Sequence, residues 1–214
     1  MHHKKHYYNH KKGFYIKMKE KIISKAKDMF ISLGFKSITM DDIAGEMCIS
    51  KKTIYKYFAN KEILVEESTK LVHVQVQETM QNITAKNFNA IEENFEIKRT
   101  FKEIFKSADS SPIFQLKKHY PEIYGKAISG QIEICQQFFR QNIEKGIAQG
   151  LYRSTINIEN YITFYYTLIF SINETISSER EAYKMETEAL EYHTRAMATA
   201  AGLTELEKNL SNLN

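Results

Sequence analysis

The chain of 214 residues has no tryptophan, only two prolines, two cysteines and eight glycines. With so few breakers, long periodic stretches run uninterrupted, and none alternates apolar and polar residues for long. That excludes a strand-rich fold and leaves an all-α protein. Cys48 and Cys135 lie far apart, in different expected units. No Cys-x-x-Cys or Cys/His pair has metal-ligand spacing, so no disulfide framework or metal site is expected. Such sparse cysteine fits a reducing, cytoplasmic location. The N-terminus lacks the apolar core of a signal peptide. The longest greasy run, Tyr161 to Ile172, is too short to cross a bilayer and is interrupted by Thr163 and Thr167, so no membrane partner is expected.

Enzyme signatures are missing too. There is no GxSxG, P-loop, GxGxxG or HExxH. His73, His119 and His193 are isolated. His119 and Glu122 have plausible ligand spacing, but Pro121 separates them at a helix start, so a structural or surface role is expected. No catalytic residue, cofactor or metal ligand is assigned. The acid-rich stretches Glu92–Glu93 and Glu186–Glu191 read as solvated helix faces.

What is present is a charge asymmetry hidden by a net charge of +4. Residues 1–64 carry 14 Lys against 6 Asp/Glu, a net of +8, and residues 65–214 carry 16 Lys/Arg against 20 Asp/Glu, a net of −4. A basic head on a slightly acidic body is expected when only the head meets a polyanion. The length allows a head of about 50 residues and a body of about 140. Residues 1–17 hold five of the lysines, no acid and no helical periodicity. They read as a basic, disordered arm, or as an upstream extension with Met18 as the true start; the sharper alternative is an arm that follows DNA.

The run Thr39 to Leu64 carries the most information. Thr39 can cap a short helix with Asp41 and Asp42 in its first turn, where the helix dipole favours negative charge. Ile43, Ala44 and Met47 form its apolar face. Cys48–Ile49 makes a turn. Ser50 can cap a second helix that opens with Lys51, Lys52 and Thr53 and continues to Tyr55 and Tyr57. A short helix with a basic, hydroxyl-rich N-terminal end, behind a small crossing helix, is the layout of a helix-turn-helix DNA reader.

The same residues at the same spacing (Thr39, Ile43, Ala44, Ile49, Ser50, Thr53, Ile54, Tyr55, Tyr57, Phe58, Lys61, Glu62 and Leu64) resemble the N-terminal DNA-binding domain of the TetR (tetracycline-repressor-like) transcriptional regulators. The resemblance covers about residues 19–70. It implies a helix-turn-helix unit over 18–64 and a helical ligand-binding and dimerisation unit over 65–214. One departure is Cys48, where the family usually has Gly. A positive φ there costs a non-Gly residue roughly 1 kcal/mol or more. Either the turn is reshaped or mild strain is tolerated, and a small, semi-buried thiol without redox function is expected.

A first helix is expected over Lys17–Leu33, with Ile22, Ile23, Ala26, Met29, Phe30 and Leu33 buried and Gly34 ending it. A fourth should run from Asn60 or Lys61 towards Gln81. Five more follow, broken near Asp109–Pro112 and with Pro121 opening the seventh. The eighth, Ile158–Ser177, is apolar nearly all round and should be buried on every face. The ninth, Glu181–Ala201, has small residues at spacing four. The tail after Gly202 should fray.

Three sets of site residues follow. The DNA face is Thr39, Ser50, Lys51, Lys52, Thr53, Tyr55, Tyr57 and Lys61. Lys51, Lys52 and Thr53 are expected at base edges, and Thr39, Tyr55, Tyr57 and Lys61 at phosphates. The body is rich in aromatic rings that are hard to pack without voids, and the resemblance implies effector binding among helices five to eight. Expected pocket liners for an unidentified apolar or amphipathic small molecule are Phe101, Phe105, Phe114, Tyr120, Tyr124, Phe138, Tyr165 and Tyr166. Asn173 is a polar candidate there or at a dimer interface. One short reading helix covers too few base pairs, so a symmetric homodimer on a palindromic double-stranded operator is expected. Its interface should be a four-helix bundle of helices eight and nine, using Tyr161, Phe164, Leu168, Ile172, Tyr192 and Ala196. The expected function is a ligand-responsive DNA-binding regulator, a repressor rather than an enzyme. The alternative is a helical carrier or enzyme for apolar substrates without operator binding.

Overall fold

The computed structural model describes residues 2–105, 108 and 110–212, with side chains from Tyr15 onward. Every regular element described is a helix: α1 (His2–Leu33), α2 (Met40–Glu46), α3 (Lys51–Tyr55), α4 (Lys61–Thr84), α5 (Ala90–Phe105), α6 (Pro112–His119), α7 (Pro121–Ala148), α8 (Ile158–Thr175), α9 (Glu179–Met197) and α10 (Ala200–Ser211). The helix α1 begins at His2 rather than at Lys17, and the side chains of most of the arm expected over 1–17 lie outside the described residues.

Two buried clusters organise the helices. The first is built from Ile22, Ala26 and Phe30 of α1, Ile43 of α2, Ile54 of α3, Phe58, and Leu64 and Val65 of α4, all at most 1% exposed. Leu116 of α6 and Ile123 of α7 close it from the other side, so its packing crosses the expected boundary at 64/65. Gly34 ends α1 at φ +88°, a conformation that favours Gly. Its N–H donates to Phe30 O at 3.0 Å. The reversal brings Phe35 onto Phe30, with ring centroids 5.4 Å apart. Leu33, expected in the buried stripe, is instead 60% exposed, and Phe35 occupies the core side of this corner.

The second cluster joins Ala90, Ile91 and Phe95 of α5, Ile143 of α7, Tyr152, Ile162 of α8, Leu190 and Met197 of α9, and Leu206 of α10. The tail expected to fray is therefore a packed helix. Ala198 leaves α9 in extended geometry (φ −64°, ψ 146°), and Thr199 caps α10 by accepting from Gly202 N. Only glycine fits at 202, since a Cβ there would lie 2.1 Å from Leu151 O. Leu206, wholly buried, anchors α10 against the body.

Two acidic stretches expected in solvent are also corrected. Glu93 is 3% exposed and accepts from Asn142 Nδ2 (2.8 Å) and Lys145 Nζ (2.7 Å) on α7. Glu186 accepts from the buried Lys98 of α5 (2.8 Å) and from Asn173 Nδ2 of α8. Burial of a carboxylate demands such partners, and both come from helices far away in sequence. Glu179, close to Glu186 and half-buried, is pushed up to about 7, first by desolvation and then by its acidic neighbour.

Candidate nucleic-acid interface

Local hydrogen bonds fix the helix-turn-helix. Thr39 Oγ1 accepts from Asp42 N at 3.1 Å, and the Asp42 carboxylate accepts from Thr39 N at 2.8 Å, a reciprocal capping box on α2. These bonds hold the Asp42 carboxyl below its ordinary range. Ser50 Oγ accepts from Thr53 N at 3.1 Å and caps α3. Between the two, Cys48 has φ +53°, so the turn keeps the left-handed geometry and puts a side chain into it. Cys48 is exposed, not semi-buried, because the turn points it away from the core.

This frame presents the expected residues. Ser50, Lys51, Lys52 and Tyr55 are exposed around α3, with Thr53 and Tyr57 half-buried, while Ile54 and Phe58 anchor the opposite side in the first cluster. Thr39 is exposed at the start of α2. Lys51 Nζ donates to Asp41 Oδ2 at 2.7 Å, bracing α3 against α2 and raising the lysine above its usual range. The Tyr57 ring lies 4.4 Å from that of Tyr15, whose hydroxyl donates to Lys56 O at 3.2 Å. Tyr15 was missed in the sequence because α1 is far from α3 in the chain.

Lys61 stands apart from the other seven. Its ammonium is half-buried, donates to Lys36 O at 3.3 Å and sits 5.8 Å and 5.9 Å from the ring centres of Phe30 and Tyr120. Desolvation there lowers its affinity for a proton.

The eight aromatic candidates are spread over several contacts. Tyr120 and Tyr124 pack against the first cluster, because Pro121 turns the chain from α6 into α7 there and Tyr120 meets Phe35 edge-on at 6.4 Å. Phe101 stacks on Phe105 at 6.5 Å along α5, and Phe114 lies under Lys118. Tyr165 stacks on His193 at 4.4 Å, and Tyr166 on Phe170 at 4.3 Å. A recess of about 540 Å³ lies elsewhere, lined by residues of α1 (Lys27, Ile31), α4 (Val72, Gln75, Val76, Thr79) and Ile104, with none of the eight in its wall. A group that sequence reasoning missed is Glu174 on α8. It accepts from Lys117 Nζ at 2.7 Å and from the Tyr124 hydroxyl, with Tyr166 within electrostatic reach. Nearby, burial pushes the Cys135 thiol up to about 11.

The outer face of α8 and α9 is apolar and bare. Phe164 is 57% exposed, Leu168 38%, Met185 47% and Tyr192 69%. Ile172, expected in an interface, is instead buried within the chain, because each four-residue step from Phe164 turns about 40° further round α8 and carries it off the bare stripe. Tyr161 is half-buried, its hydroxyl donating to Ala196 O at 3.2 Å. The helix α8 is thus buried on one side only.

Helices packed as a basic helix-turn-helix unit joined to a helical body define a DNA-binding protein. Residues 22–68 match the family model of bacterial regulatory proteins, tetR family. The biofilm operon icaADBC negative transcriptional regulator IcaR of Staphylococcus aureus is 29% identical over 138 residues, 60% of this chain and 68% of that protein. A transcriptional regulator from Cytophaga hutchinsonii superposes with a TM-score of 0.68 at 18% identity, over 84% of this chain and 98% of its own. A gamma-butyrolactone receptor superposes with a TM-score of 0.65 at 13% identity, over 93% and 97%. Residues 22–68 are thus the part that matches the tetR family, and the likeness in fold to solved regulators extends over the body. No described helix is long and apolar enough to cross a membrane.

Proposed function

We propose that this chain is a ligand-responsive repressor that binds a palindromic operator as a symmetric homodimer. The observation that carries the reading is the exposed N-terminal end of α3. There Ser50, Lys51, Lys52 and Thr53 project from a helix whose other side is locked into a packed core. Lys52 and Thr53 suit base edges, and Tyr55, Tyr57 and Thr39 suit phosphates. Repression is supported by the named role of the Staphylococcus aureus relative. The bare stripe of Phe164, Leu168, Met185 and Tyr192 suits a second copy, placing two α3 helices on adjacent major-groove turns about 34–36 Å apart. The units are then a DNA-binding part over 18–64 and a ligand-binding and dimerisation part over 65–214, with the effector an apolar or amphipathic molecule held near Glu174, Tyr124 and Tyr166. The gamma-butyrolactone receptor, a neighbour in fold, lends the idea of small-molecule control. Selection from random duplex DNA tests the reading. The expected product is an inverted repeat bound by a dimer in sedimentation, with Phe164→Asp plus Tyr192→Asp giving monomers that lose the site. No enriched sequence, or a wild-type monomer at micromolar concentration, defeats it.

A further inference from the structure

Lys61 occupies an unfavourable place for a cation. It is the first residue of α4, at the positive end of the helix dipole. Desolvation first, and then the charges of Lys36, Lys118 and Lys61, hold His119 below its ordinary range, so three cations lie around this corner. The cation is nonetheless half-buried rather than extended into water. What holds it is a carbonyl from the loop after α1 (Lys36 O, 3.3 Å) and two ring faces, Phe30 of α1 and Tyr120 of the α6–α7 corner, with the Asp42 carboxylate of α2 within electrostatic reach. Three elements therefore meet on one ammonium: the end of α1, the start of α4 and the corner of the body that closes the first cluster with Leu116 and Ile123.

Resting on the reading of the chain as an operator-binding protein, we propose that Lys61 is the coupling residue between body and DNA-binding unit, and that Tyr120 competes with a DNA phosphate for its ammonium. An ammonium has three N–H donors, and its seat uses the Lys36 carbonyl and the two rings. A phosphate takes it by a charge-assisted bond stronger than a cation–π contact. Leaving the ring of Tyr120 loosens the corner of α6 and α7 from the start of α4. A change in the body that draws Tyr120 tighter onto Lys61 thus withdraws a phosphate contact, and operator binding loosens the body by the same factor.

A double-mutant cycle on the selected operator tests this. Tyr120→Leu removes the ring and is expected to tighten operator binding about threefold per chain, while Tyr120→Phe keeps the ring face and leaves affinity unchanged. In a Lys61→Met background both Tyr120 changes should be silent. Equal effects of Tyr120→Leu in both backgrounds, or no tightening in the wild type, overturn the proposal. Should Tyr120→Leu unfold, the wild-type chain with isotope-labelled lysines decides. The Lys61 ε-methylene signal, shifted by the two rings, should move to the ordinary lysine position when operator is added, and a signal that stays in place overturns the proposal. If the wild type selects no DNA sequence at all, the underlying reading has failed instead.

Discussion

The two buried clusters differ in how completely they close. Around α1–α4, apolar side chains from all four helices reach zero or near-zero exposure, and the polar groups at the helix starts are satisfied within three residues. In the body, the lower part around Phe95, Tyr152 and Leu206 is equally tight, but Phe101, Phe105, Phe114, Phe138, Tyr166 and Phe170 are all half-buried. The body also buries charge at Glu93 and at Lys98 with Glu186, whereas the first cluster carries only the half-buried ammonium of Lys61 at its edge. A unit that only has to hold one reading helix in place can be packed to density. A unit that has to admit something, or shift, keeps imperfect packing and costly polar pairs. That contrast is what the proposed division of labour between the units requires.

Truncating rings on either side should expose it most directly. Phe30→Ala empties a fully buried site and should cost about 3–5 kcal/mol in urea unfolding, whereas Phe101→Ala, at a site only partly buried, should cost about 1–2 kcal/mol. Equal losses would mean that the body is as tightly packed as the first cluster.

Acid should weaken the body in particular. Burial depresses the His193 imidazole to about 4 against an ordinary 6.5. Between those values the unfolded chain binds the proton and the folded one does not, so stability falls as pH drops from 6.5 towards 4, by about 2–3 kcal/mol in all. Glu179, raised to about 7 from 4.5, acts in the opposite sense, losing stabilisation as pH rises through that range. The check is therefore the difference between wild type and His193→Phe, a ring that can keep the stack on Tyr165. Parallel pH curves for the two would remove His193 as the source.

The smallest effect belongs to the helix-turn-helix turn. Cys48 is exposed, so Cys48→Gly loses no packing and relieves the positive φ; thermal unfolding should show a gain of about 0.5–1 kcal/mol after the entropy of the added glycine. An unchanged or lowered midpoint would show that the turn bears no strain.

Much of the DNA-binding unit was readable from residues alone because its determinants are local. The caps at Thr39, Ser50 and Asn60 each act on an amide three residues on, Gly34 ends α1 at its own φ, and Ile43, Ile54 and Phe58 bury where the short helices' spacing puts them. The exposed end of α3 follows from the same few bonds. Tertiary packing decided the rest. Glu93 looks like any surface acid until α7 brings Asn142 and Lys145 to it across about fifty residues. The helix α10 exists because Leu151 and the second cluster receive Gly202 and Leu206. Which face of α8 is bare depends on α7 and α9 covering the other, and Lys61 turns inward because α1 and α6 supply a carbonyl and two rings. Helix caps and turns are set by bonds a few residues long, whereas burying a charge or choosing a face requires partners that only the folded chain brings within reach.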